Sequence, residues 1–127
     1  SLFDRPVFTA KDITKKITME FPKDVPPRKD LELVMELIPE LETNYAVDKQ
    51  RLYVGGLSMG GMGTDELVGG MPDTFCAAVV ICRAADPATA KNMKGTAWWI
   101  FYGQEDSTVY VEHAEAMAAA LKKPGLM

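Results

Sequence analysis

Apolar and polar residues alternate along this chain in two distinct rhythms. From residue 30 onward, Leu31, Val34, Met35, Ile38, Leu41 and Tyr45 return to one side of a helix, with Glu32, Glu36, Glu40 and Glu42 mostly opposite. Asp30 suits the N-cap of that helix. Pro39 removes a hydrogen bond and costs about 3 kcal/mol in a helix interior, so a kink or break is expected there. Residues 46–50 turn the chain into a strand at Arg51. Residues 76–82 and 96–102 are apolar at both parities, the pattern of strands covered on both faces. Between the strands, residues 61–69 read as a helix closed by Gly69-Gly70 and Met71-Pro72-Asp73, and residues 86–95 as a loop with one helical turn. Val111, Ala114, Met117, Ala118 and Leu121 form the stripe of a last helix over 110–122, ended by Pro124-Gly125. Residues 1–28 form an irregular N-terminal segment. Ile17, Met19 and Phe21 alternate there with Lys16, Thr18 and Glu20 as in a half-exposed edge strand, and Pro22, Pro26 and Pro27 mark a connector.

Strand and helix therefore alternate, which predicts an α/β fold with right-handed crossovers, a short parallel sheet and flanking helices in three layers. The 127 residues make one domain with enough apolar content (47%) to bury a core. A net charge of −4 with mixed signs gives no basic surface for nucleic acid. No apolar run reaches the ~20 residues of a membrane span, no signal segment is evident, and the compartment is left open. Cys76 and Cys82 lie in an apolar run and read as buried thiols, with a disulfide as the lesser possibility.

The chain's candidate chemistry begins at Leu52-Tyr53-Val54-Gly55-Gly56-Leu57-Ser58-Met59-Gly60-Gly61. A short strand breaks there into glycines around one serine, and Gly56-Leu57-Ser58-Met59-Gly60 fits G-x-S-x-G, the nucleophile elbow. In such a turn the serine backbone is strained, and glycines two residues before and two after avoid a clash at Cβ. The Met59 amide opens the following helix, where an oxyanion finds a donor and a positive dipole end. In a parallel sheet ligands sit beyond the strands' carboxyl ends. Ser58 lies just past the first strand of that sheet and Asp106 just past the third, so both are placed at one edge.

From residue 31 to 125 the chain resembles the C-terminal part of an esterase-type α/β-hydrolase, of the predicted peptidase or phospholipase/carboxylesterase group. Three blocks carry the resemblance in the family's order: residues 47–64 around the elbow, residues 71–78 (Met71-Pro72-Asp73-Thr74-Phe75-Cys76-Ala77-Ala78), and residues 99–112, which include Tyr102-Gly103-Gln104-Glu105-Asp106. The resemblance implies Ser58 as nucleophile, Met59 as one oxyanion amide, Asp106 as the triad acid, and a small ester substrate hydrolysed through an acyl-enzyme, with neither metal nor cofactor.

The chain also departs from that pattern. The family's histidine lies beyond the acid on a later loop, and none of the 21 residues that follow Asp106 (127 − 106) suits that place. Residues 1–50 contain no glycine, hence no loop of the kind that supplies the second oxyanion amide. Tyr102 stands where the family usually has histidine, and Arg83 where glycine is common. The expectation is an incomplete domain, either a fragment or a natural chain without a full site. His113, the one histidine, falls about 100° from the centre of the last helix's apolar stripe; it reads as a flanking residue, with a rearranged triad as the lesser reading. Asp106 can equally be a loop acid or a cap ahead of Val109. Asp65 and Glu66 suit the dipole at the start of the post-elbow helix and are assigned no chemistry. Trp98 and Trp99 read as core and sheet-face residues. Two functions follow: a carboxylesterase-type serine hydrolase, or a non-catalytic remnant that self-associates through exposed sheet edges.

Overall fold

The computed structural model of the chain describes residues 28–122; the expected edge strand within residues 1–27 lies outside them. The elements run α1 (Lys29–Asn44), β1 (Tyr53–Leu57), α2 (Met59–Gly70), β2 (Ala77–Ile81), a 3-10 helix (Pro87–Asn92), β3 (Ala97–Phe101) and α3 (Val111–Leu121). The three strands form one parallel sheet in the order β1-β2-β3. Their register places Tyr53, Ala77 and Ala97 on one row, Gly55, Val79 and Trp99 on the next, and Leu57, Ile81 and Phe101 on the last.

The expected parallel sheet is present, but the expected third layer is absent among the described residues. Val54, Ala78 and Trp98 face the helices and share a core with Leu67, Val68, Met93 and Met117, and Val80, on the same parity, is fully buried. The opposite parity is exposed: Val79 and Ile81 keep 37% and 38% of their surface, Trp99 65% and Phe101 41%. Strands added in consecutive order by right-handed crossovers place every connecting helix on the same face, so this topology by itself makes two layers. The apolar residues at both parities of β2 were therefore misleading, because among the described residues one face has a cover and the other has none.

Helix α1 begins two residues earlier than expected, with Arg28 rather than Asp30 at its N-cap, and it continues through Pro39 without a break. Proline removes a single N–H, and α1 buries none of its residues, so water reaches its backbone. Only Leu31, Met35 and Ile38 of its expected stripe pack on the core, and Val34, Leu41 and Tyr45 are exposed. Met35 reaches over Gly70 of α2, its Cε lying 2.5 Å from where a Cβ would stand. In α3 the expected stripe holds, with Ala114 and Met117 buried. Both cysteines are free and half-buried rather than buried. They flank β2 at opposite ends, roughly 20 Å apart at ~3.3 Å per residue, which precludes a disulfide between them. Among the described residues no helix is long and apolar enough to cross a membrane.

Candidate active site

The elbow is formed by a strand end and a helix start that almost touch. Ser58 links β1 to α2 with φ 54° and ψ −117°, a region that a residue with a Cβ rarely occupies and that costs on the order of 1–3 kcal/mol. Its amide donates to the carbonyl of Ile81 at 2.9 Å, extending the β1–β2 ladder by one residue. Its carbonyl accepts from Met62 at 3.1 Å and so opens the helix. The Ser58 side chain makes no capping hydrogen bond and is exposed. The first N–H groups of α2, that of Met59 included, precede the helix's own carbonyls and leave a positive end beside that hydroxyl.

The two elbow glycines differ. A Cβ on Gly56 would overlap the backbone carbonyl of Gly60, so no other residue fits there. A Cβ on Gly60 would meet nothing within 4 Å, contrary to the expected clash. The second crowded position is Gly61, where a Cβ would come within 2.8 Å of the Arg83 Cβ. The helix therefore leans on the segment after β2, and the requirement for glycine moves one residue along.

Continuing the register past the strand ends sets Ser58, Cys82 and Tyr102 in a row across the sheet's C-terminal edge. The Cys82 amide donates to the Phe101 carbonyl at 2.9 Å, which holds that row together. Asp106 sits half-buried in the loop beyond β3, its own amide donating to the Gly103 carbonyl at 3.2 Å. Ser58 and Asp106 thus share an edge, as expected, but the end of β2 stands between them. One carboxylate oxygen of Asp106 accepts from the amides of Thr108 at 2.7 Å and Val109 at 3.0 Å, so the capping role is present.

Cys82, read from the sequence only as a buried thiol and assigned no place in the site, occupies the middle of the row. It too has a positive φ, 50°. Burial first, then the adjacent Asp106 carboxylate and the hydrogen bond to it, push its thiol above the ordinary value, while the Gly103 amide pulls it down. The only clue in the sequence was its distance from Ile81, one residue past a strand whose end is level with that of β1. His113 lies in the first turn of α3 as a half-buried residue, its ring edge-on to Tyr110 at 6.4 Å between centroids.

Beneath the elbow lies a second feature that sequence reading missed. Arg83 is fully buried, and its Nη2 donates to Asp65 Oδ1 at 3.1 Å. Its Nε stands 2.6 Å from Oδ2 without the alignment of a hydrogen bond. Nη1 and the Trp98 indole N–H have no hydrogen-bond partner among the described residues, and the guanidinium carbon lies 6.0 Å from the centre of the Trp98 ring. Burial raises the Asp65 carboxyl to about 7, against the opposing pull of Arg83. The pair ties α2 to the segment after β2 and so fixes the elbow relative to Cys82. Asp65 was expected to be a helix-dipole acid and is instead half of a buried ion pair, 18 residues from its partner.

No family model matches the chain, and no curated protein matches it. Among solved structures, the crystal structure of a thermostable esterase matches with a TM-score of 0.71 and 35% sequence identity, over 75% of this chain and 26% of that one. The chain thus spans about a quarter of that esterase's length. The described residues have an esterase-like α/β fold.

Proposed function

We propose that this chain carries the nucleophile half of a serine hydrolase acting on carboxylic esters. Ser58 attacks the acyl carbon, the Met59 N–H holds the oxyanion, and Asp106 orients a histidine that takes the serine proton. That histidine comes from residues beyond this sequence, from another chain, or from His113. The observation that carries the reading is the backbone of Ser58, a non-glycine residue held at φ 54° on a strand-to-helix turn that only Gly56 permits. Strain of this kind persists where the surroundings enforce it and a side chain must be presented. The 35% identity to an esterase over most of the chain supports the same reading.

The test is release of nitrophenol from a short-chain nitrophenyl ester by the chain and by Ser58→Ala. The reading expects activity that depends on Ser58 and is modest, since losing one oxyanion donor alone lowers turnover by ~10²–10³. Equal rates for the two proteins would overturn it. The apolar side chains exposed on one sheet face among the described residues favour a second reading, a non-catalytic remnant or fragment that self-associates.

A further inference from the structure

Arg83 lies along the underside of the elbow helix. Ser58, Gly61 and Asp65 follow one another at intervals of three and four residues, the spacing that lines up one side of a helix. Arg83 packs against that side. A Cβ on Gly61 would stand 2.8 and 2.9 Å from its Cβ and Cγ, and one turn further on its guanidinium meets both carboxylate oxygens of Asp65, Nη2 at 3.1 Å and Nε at 2.6 Å. One turn the other way is Ser58, whose amide donates to the Ile81 carbonyl at 2.9 Å. Ile81 ends the strand that leads into Arg83, so strand end, arginine and helix start form a closed circuit. The Cys82 amide, bonded to the Phe101 carbonyl at 2.9 Å, ties the same segment to β3.

Stability alone gives no reason for charges in this circuit. Apolar side chains of similar volume often join two buried segments as firmly as an ion pair. What the pair adds is direction. Apolar burial is non-directional, so helix and segment could slide or turn against each other at small cost. A planar guanidinium facing a carboxylate with two atoms constrains distance and angle together. Gly61 completes the constraint, because without a side chain there the helix backbone comes down onto the arginine stem. The stem then limits the depth of α2, and the fork limits its rotation.

We propose that Asp65 and Arg83 are positioning residues for the elbow, setting the depth and rotation of α2 and with them the place of the Ser58 hydroxyl and the Met59 N–H at the sheet's edge. The positional claim stands on the geometry of the pair; its effect on reaction at Ser58 rests on the serine hydrolase reading above. The double variant Asp65→Leu with Arg83→Met, which keeps apolar contact and loses direction, separates position from stability. Hydrogen exchange in this variant should be at least tenfold faster at the Ser58 amide than in the parent. The amides of Cys76 and Ala97, bonded to the Leu52 and Cys76 carbonyls at the far end of the sheet, should exchange as they do in the parent. Loss of fold stability alone would speed all three by a similar factor. Arg83→Lys keeps the stem and a charge but not the fork; it should speed Ser58 exchange by a smaller factor, again leaving Cys76 and Ala97 unchanged. Labelling of Ser58 by a fluorophosphonate should slow at least tenfold in the double variant, since a displacement of ~1 Å at a reacting group lowers rates by ~10². A Ser58 amide that exchanges at the parent's rate in both variants overturns the proposal. So does equal acceleration at all three amides, or labelling of the double variant at the parent's rate. A parent chain that takes no label counts against the hydrolase reading instead, and the exchange rates then decide the positional claim.

Discussion

Arg83→Met leaves the Asp65 carboxylate buried, its side chain 7% exposed, with no counter-charge. Methionine follows the path of the arginine stem past Gly61 and beside Trp98, so packing is largely kept and the change isolates the lost charge. Removing one partner of a buried pair typically costs ~3–5 kcal/mol. Asp65 can escape part of that by taking a proton, since burial already holds its carboxyl at about 7 with the arginine present. What then remains is a buried carboxylic acid without its hydrogen bond, worth ~1–3 kcal/mol. About 3 kcal/mol at pH 8 is therefore expected, a large part of the 5–15 kcal/mol that holds a typical domain. With a slope of ~1–3 kcal/mol per molar urea, the unfolding midpoint falls by about 1–3 M. The double variant Asp65→Leu with Arg83→Met replaces both charges by apolar side chains and should return to within about 1 kcal/mol of the parent, or exceed it. Urea melts of the four proteins of this cycle at pH 8 measure both outcomes. An Arg83→Met protein within 1 kcal/mol of the parent, or a double variant as weak as the single one, would refute the account of this pair.

Asp65 also sets a pH dependence: its carboxyl keeps a proton up to about 7 when folded but releases it near 3.8 when unfolded. Its contribution to stability is complete below pH ~4, declines as pH rises to about 7 by at most about 4 kcal/mol, and is level above that; urea melts across this window should show the decline in the parent but not in the double variant. Gly60→Ala, open at Cβ and inside α2, should stabilise by up to ~1 kcal/mol, whereas Gly56→Ala, which strikes the Gly60 carbonyl, should abolish reaction at Ser58; equal effects at both positions would contradict the elbow geometry. The pH profile of Cys82 alkylation should lie above that of an ordinary thiol, and Asp106→Asn, which removes the second cause and leaves burial, should bring it part of the way down. A profile unmoved by Asp106→Asn would deny the contact.

The strand and helix positions were legible because glycine, proline and period punctuate this chain clearly. The shared edge of Ser58 and Asp106 followed from parallel topology alone. The bare face was not legible: Val79 and Ile81, which are exposed, do not differ in chemistry from Val80 and Ala78, which are buried, and only the consecutive strand order tells the two sets apart. The helix through Pro39 escaped because the usual penalty presumes a buried backbone, and α1 is wet. Asp65 and Arg83 escaped because each looks like an ordinary surface charge until the crossover brings two segments 18 residues apart together. The crowding moved from Gly60 to Gly61 for the same reason, since it depends on where the Arg83 stem lies.

The chain has three serines, Ser1, Ser58 and Ser107, so the account's central claim reduces to which of them reacts. Mass-spectrometric mapping of the folded protein after treatment with a fluorophosphonate should place the adduct on Ser58 alone, with none in the urea-unfolded chain. An unmodified folded protein, or an adduct on Ser107 with Ser58 untouched, would contradict it.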